Sequence, residues 1–213
     1  MDEETPHIEV RVVQVDDAPA LHELDYDFET DRVYTLKIHD QLAPHIQTTP
    51  TQTAHTSAFD FSLVETPVDP PLYKDYRTCA SSPADIESMI QQGDGGFVAL
   101  ANGVVAGGIF LVMDAFRSVT QIKAMIVGRP FRRYGVGTLL LRCALDWARN
   151  HDCRAILLET QNTNYPAIQF YLQNGLEIWS IHRHFYPPGP YAYEVAIFMG
   201  KRLICVPGDD YGT

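Results

Sequence analysis

Apolar residues recur along this chain with two periods. A period of two marks strands. Ile8 to Val15 alternates at several positions, Val33 to His39 alternates throughout, and Phe59 to Val64 forms a third such run. Phe97 to Ala101 and Val104 to Val112 flank Asn102-Gly103, the dipeptide that most strongly predicts a hairpin. Val119 to Val127 and Arg154 to Thr160 are continuous apolar runs, read as buried strands. Leu176 to Phe185 and Tyr191 to Met199 close the series. The helical period is clearest after Gly135: Val136, Leu139, Leu140, Cys143, Ala144, Trp147 and Ala148 form one stripe that runs to about Asn150. Shorter helices are predicted over Ala18–Asp25, Ser82–Gln92 with Pro83 in the first turn, and Pro166–Gly175.

Between these segments, Thr66-Pro67-Val68-Asp69-Pro70-Pro71 is held extended by its prolines. Residues 41–57 show no periodicity and read as a loop or hairpin tip. A strand, a helix and a strand over 119–160 imply a parallel pair with a right-handed crossover. The elements are those of an α/β chain in the mixed (α+β) sense, with one parallel strand pair.

Length and charge narrow the function. A chain of 213 residues makes one sizeable domain, 1–213. Residues 1–31 hold eleven Asp/Glu against one Arg, whereas the rest hold sixteen against fifteen Lys/Arg. An acidic end of this kind is either a solvated face that aids solubility or a field that attracts a cationic partner, and both argue against nucleic acid. No apolar run is long enough to span a membrane, and the acidic start does not read as a signal peptide. Cys79, Cys143, Cys153 and Cys205 form no Cys-x-x-Cys and read as free thiols, so a cytoplasmic protein is expected. His182 and His184 share a strand face without a third ligand nearby, so no metal is expected.

The chemistry lies in the turn that opens the long helix. Gly128-Arg129-Pro130-Phe131-Arg132-Arg133-Tyr134-Gly135-Val136-Gly137-Thr138 carries three arginines ahead of a helix N-terminus. Unpartnered first-turn amides, the helix dipole, Arg132 and Arg133 suit a phosphate or pyrophosphate. A third glycine of a dinucleotide fingerprint would fall at Leu140, and no Gly-Lys-Ser/Thr of a Walker loop follows.

Arg132-x-x-Gly135-x-Gly137 resembles the acyl-CoA pyrophosphate loop of the GNAT N-acetyltransferases. A second motif supports the resemblance: Leu158-Glu159-x-x-Asn162-x-Asn164-x-Pro166-Ala167-Ile168-x-x-Tyr171-x-x-x-Gly175. Together they cover 97–200 as an acetyl-CoA-binding core. In the N-terminal part, Leu24-Asp25-x-x-Phe28-x-Thr30-Asp31-x-Val33 and Glu65-x-Pro67-Val68-Asp69-Pro70-Pro71-Leu72-x-Lys74 look like segments of streptothricin (nourseothricin) acetyltransferases. That places the acceptor side in 1–75.

The resemblance implies the GNAT fold, a mixed, twisted, mostly antiparallel sheet splayed at the parallel pair with helices on both faces, and acetyl-CoA as co-substrate. Its pyrophosphate would lie on Arg132, Arg133, Tyr134, Gly135, Val136, Gly137 and Thr138, and its pantetheine arm along Met125, Ile126 and Val127. Asn164 would help hold it, and Tyr171 would protonate the departing thiolate. The strand before the loop, Lys123-Ala124-Met125-Ile126, lacks the carboxylates of the streptothricin enzymes. Glu159 is then the best remaining carboxylate for a base, with a water chain to solvent as the other route. Asp25, Asp31 and Glu65 are candidates to hold a cationic amine, with Asp69 as a further possibility. The implied reaction is acetylation of a small-molecule primary amine, streptothricin-like, with a peptide, protein or polyamine amine as the enzyme alternative. An acyl-CoA-binding regulatory module is the non-enzymatic one. The final strand, Ala192–Met199, is expected at a sheet edge that could pair two copies as a homodimer.

Overall fold

A computed structural model describes residues 5–41, 58–76, 82–189 and 191–203. The predicted loop over 42–57, Cys79 and Cys205 lie outside the described residues. In chain order the elements are β1 (Ile8–Val12), α1 (Ala18–His22), β2 (Asp27–Gln41), β3 (Ala58–Asp75), α2 (Pro83–Gln92), β4 (Gly95–Ala101) and β5 (Val104–Asp114). They continue with β6 (Val119–Val127), α3 (Val136–Asn150), β7 (Ala155–Gln161), α4 (Tyr165–Gln173), β8 (Glu177–His182) and β9 (Ala196–Arg202).

Seven strands form one sheet in the order β1-β4-β5-β6-β7-β9-β8, and β2 and β3 form a separate two-stranded arm. Every neighbouring pair is antiparallel except β6 and β7. Their parallel register covers Val119↔Ala155, Thr120↔Ile156 and Gln121↔Leu157 and then stops. Beyond Gln121 the two strands diverge and open a wedge in the sheet.

Two cores lie on the two faces. Along β5, Ile109 and Leu111 point into a core with α3, α4 and β7, while Phe110 joins Leu21 of α1 and Ile86 of α2 on the other side. This is period-two alternation in a strand covered on both faces. On β6 the alternation is broken once. Phe110 pairs with Ala124 and Leu111 with Ile122, so Lys123 is the extra residue of a β-bulge. Ile122 and Ala124, two apart, therefore fall on opposite faces.

The structure corrects several expected boundaries. β1 ends at Val12, because Asp17 bends the chain: it accepts from the Gln14 amide at 2.8 Å and binds Arg11 at 2.6 and 2.8 Å. α1 closes at His22, with Leu24 N–H turning back to the Leu21 carbonyl. The proline segment belongs to β3. Between Thr30↔Leu72 and Arg32↔Pro67 the register jumps, so residues 68–71 bulge out and their prolines need donate nothing. The buried face of α3 is Val136, Leu140, Leu141, Ala144, Leu145 and Ala148, which turns the predicted stripe toward Leu141 and Leu145. The last strand begins at Ala196 and is not an edge. β9 pairs with β7 on one side and β8 on the other, so the sheet edges are β1 and β8.

Candidate active site

The wedge between β6 and β7 opens into a cleft of about 760 Å³. One wall is β6 itself, Lys123 to Val127. Their other edge is paired with β5, so the backbone facing the wedge has no strand partner among the described residues. The opposite wall comes from α4: Asn164, Pro166, Ala167, Phe170, Tyr171 and Gln173. One end is closed by Arg132, Arg133, Gly135, Gly137 and Thr138, and the rim by Asp25, Tyr26, Asp27, Phe28 and Tyr76.

The α3 end is an anion cradle. Gly135 caps the helix at φ 83°, a left-handed conformation that favours glycine. The first hydrogen bond onto the cap is Leu139 N–H to the Gly135 carbonyl at 3.0 Å, so the amides of Val136, Gly137 and Thr138 have no acceptor within the helix. A Cβ on Gly137 would lie 3.2 Å from two ring atoms of Phe170. Glycine there keeps the gap between helix and α4 open, and this is room that an extended phosphate-bearing chain requires.

The arginines divide their work differently from expectation. The Arg132 guanidinium donates to the Val127 carbonyl at 2.9 Å and the Asp25 carbonyl at 3.0 Å, so it ties the turn to β6 and to the segment before β2. Arg129 is held by Asp27 at 2.6 Å. Tyr73 also donates to Asp27, at 3.0 Å, and these partners together hold its carboxyl below its ordinary range despite burial. Arg133 lies exposed along the cleft wall and is the arginine placed to meet a phosphate. Val136 turns its side chain into the core, and Tyr134 does not line the cleft. These two can contribute through their backbone amides.

Across the cleft, Asn164 caps α4 by accepting from the Ala167 amide at 3.2 Å. Tyr171 is buried, and its hydroxyl bonds to no side chain among the described residues. Burial pushes its phenol well above the ordinary tyrosine range. Burial therefore keeps the phenol protonated, so it holds a proton at the cleft wall.

Glu159 does not line the cleft. It sits behind the wall, half-buried, and accepts from the Tyr186 hydroxyl. Burial raises its carboxyl above the ordinary range, against the opposing pull of Tyr186 and Lys74. Next to it is a buried ion pair: Lys74 Nζ lies 2.7 and 2.6 Å from the Glu194 oxygens, and Thr163 donates to Glu194 at 2.5 Å. Of the acidic residues expected to hold an amine, Asp25 lines the rim. Asp31 is exposed beside Arg32, and Glu65 accepts from Tyr34 and Tyr165 at 3.3 and 3.2 Å on the arm, outside the cleft. The sequence reading missed Tyr26, Asp27, Phe28, Tyr76, Lys123 and Phe170. None carries a local signal; tertiary folding brings them to one opening.

Known proteins resemble this chain in sequence and in fold. The profile of the acetyltransferase (GNAT) family matches residues 61–176. Streptothricin acetyltransferase A of Bacillus subtilis (strain 168) is 30% identical over 129 residues, 60% of this chain and 72% of its own length. Streptothricin acetyltransferase of Streptomyces lavendulae is 28% identical over 193 residues, 90% of this chain and 93% of its own. N-alpha-acetyltransferases are also among the relatives, aligned over 47% to 52% of this chain. The crystal structure of nourseothricin acetyltransferase superposes with a TM-score of 0.72 at 24% identity, covering 92% of this chain and 99% of that one.

Proposed function

The chain belongs to the acetyltransferase (GNAT) family, and from that premise we propose that it acetylates a primary amine of a cationic, streptothricin-like small molecule with acetyl-CoA. Acetyl-CoA supplies the acetyl group as a thioester: the carbonyl carbon passes from sulfur to nitrogen, the amine loses a proton and the thiolate gains one. One observation carries the reading. A single cleft joins the unpartnered amides of α3 to the buried Tyr171 phenol along the unpaired edge of β6.

Each wall has a task in this scheme. The amides of Val136, Gly137 and Thr138, with Arg133, hold the pyrophosphate. The open backbone of Met125, Ile126 and Val127 offers donors and acceptors to the amide-bearing arm, as a strand would. Asn164 keeps α4 in place at the cleft. Tyr171 Oη holds the proton that the leaving sulfur takes. Glu159 is the carboxylate whose charge stabilises the cation forming on the amine, at a distance from it, and the proton itself leaves to solvent water at the cleft mouth. Asp25 puts negative charge on the rim where a cationic acceptor enters, whereas Asp27 is engaged with Arg129. The streptothricin relative of Streptomyces lavendulae aligns over 90% of the chain, which requires much of the β2–β3 arm.

The test is coenzyme A release from acetyl-CoA against streptothricin, aminoglycosides, polyamines, lysine and N-terminal peptides. Streptothricin should be turned over with the highest kcat/KM. A peptide preferred to every small cation would overturn the acceptor assignment, and acetyl-CoA binding with no acceptor turned over would favour a regulatory module.

A further inference from the structure

Two hydrogen bonds, with Gln161 and Tyr186 adjoining between them, connect the cleft wall to Glu159. Tyr76 lines the cleft, and its hydroxyl donates to Oε1 of Gln161. With Oε1 so occupied, the Gln161 side chain has its amide nitrogen left to act on the oxygen of Tyr186. Tyr186 in turn donates to Oε1 of Glu159. At the cleft end, Nδ2 of Asn164 points at the Tyr76 oxygen from 3.5 Å. Every donor faces the same way, so each bond polarises the next toward the carboxylate.

The residues come from separate parts of the fold. Tyr76 follows β3, Tyr186 lies in the turn after β8, and Asn164 caps α4. Glu159 and Gln161 are two apart on β7 and share one side of it. The charged groups that act on Glu159 are Lys74 from β3 and Glu194 from the segment before β9. They are already bound to each other, with Lys74 Nζ 4.9 Å from the Tyr76 ring centre and 4.3 Å from that of Tyr191. The carboxylate's remaining outlet is the line through Tyr186.

We infer that Tyr76 and Gln161 are positioning residues that carry the charge of Glu159 to the cleft wall, where the Tyr76 oxygen accepts an N–H of the acceptor amine. The inference rests on the amine-acetylation reading above. The Tyr76 hydroxyl hydrogen is committed to Gln161, so the phenol meets the amine with lone-pair density. An amine held by its N–H keeps its own lone pair for the carbonyl carbon. No proton passes through the Gln161 amide; the line transmits polarisation. Protonated Glu159 can itself donate to Tyr186, which lets the line reverse and ends the preference.

Two measurements on the full chain test this. In steady-state kinetics, Tyr76→Phe and Gln161→Leu should each lower kcat/KM for the amine about tenfold, the worth of one hydrogen bond to a polarised group. The KM for acetyl-CoA should stay near that of the unmodified enzyme. The double variant should be no worse than either single one, and the acidic limb of the kcat/KM profile should disappear with Gln161→Leu. Additive losses, or an equal rise in the KM for acetyl-CoA, would overturn the proposal.

The second measurement needs no turnover. With 13C at tyrosine Cζ, assigned by loss in Tyr76→Phe, the Tyr76 and Tyr186 resonances should shift with one shared midpoint as Glu159 titrates. Gln161→Leu should silence Tyr76 and leave Tyr186 responding. A Tyr76 resonance that ignores the midpoint in the unmodified protein would overturn the proposal. A Tyr76 response without turnover of any amine would support the line and count against the acetylation reading alone.

Discussion

At the scale of single residues the proposed chemistry turns on two protons and where burial leaves them. Tyr171 is pushed up by burial, so it stays protonated through and above the neutral range. Tyr171→Phe should lower kcat by about a hundredfold or more, the usual worth of a positioned proton donor, with the KM for acetyl-CoA little changed. Because the phenol's range lies so high, the unmodified enzyme should show no alkaline fall in kcat that belongs to Tyr171; such a fall that vanishes in Tyr171→Phe would sink the assignment. Glu159 is shifted in the same direction by the same cause: its folded carboxyl is raised, so its charge appears only above the ordinary 4.5. The acidic limb of kcat/KM should therefore lie above that value and be absent in Glu159→Gln. Tyr171 and Asn164 could be found from sequence because both lie in one short strand-to-helix motif. Tyr76 could not: it meets Gln161 across 85 residues, a contact that only the folded chain makes. Asp31 and Glu65 looked equivalent to Asp25 as acidic residues, but pairing in the arm directs them away from the cleft.

At the scale of elements, the N-terminus of α3 does two jobs that its two glycines separate. Gly135 is needed for a backbone angle: its φ of 83° strains any residue with a side chain, and nothing lies within 4 Å of a Cβ there. Gly135→Ala should cost about 1–2 kcal/mol of stability, with a small effect on acetyl-CoA binding. Gly137 has ordinary helical geometry, but a Cβ there would lie 3.2 Å from the Phe170 ring. Gly137→Ala should therefore weaken acetyl-CoA binding about tenfold, within the range of overpacking penalties, and Phe170→Leu in the same chain should restore part of it. Calorimetric titration and thermal melting read the two effects separately; identical profiles for both glycines would refute the division. The helix and its glycine turn were legible because they are periodic and local. The bulge at Lys123 was not, since an apolar run reads the same with or without an extra residue, and its partner strand decides. The same holds for β9. Its sequence is as apolar as an interior strand requires, but the order of strands is set by pairing, which placed β8 outside it.

At the scale of the whole molecule, the β2–β3 arm is fastened to the rest of the fold at several points, among them Asp27 with Arg129 and Glu65 with Tyr165. Tyr34 N–H and the Asn162 carbonyl meet at 2.9 Å, and the Asn162 amide returns a bond to the Tyr34 carbonyl at 2.7 Å. A further fastening is ionic and buried: Lys74, at the end of the arm, is 6% exposed and Glu194 is 1% exposed, 120 residues later. A pair so buried is costly to desolvate, and its two halves are stable only together. Lys74→Met should leave Glu194 and Thr163 facing an apolar side chain and cost about 3–5 kcal/mol. For a chain of this size that lowers Tm by about 10 °C. Lys74→Met with Glu194→Leu removes both charges, and much of the lost Tm should return. A double variant as unstable as the single one would mean that packing of the Lys74 stem, and not the charge left behind, holds the arm. The site depends on this fastening, because Tyr76 follows Lys74 by two residues. If the arm is held by the ion pair, Lys74→Met should also lower kcat/KM for the amine at temperatures well below its Tm, and the double variant should recover stability before it recovers activity.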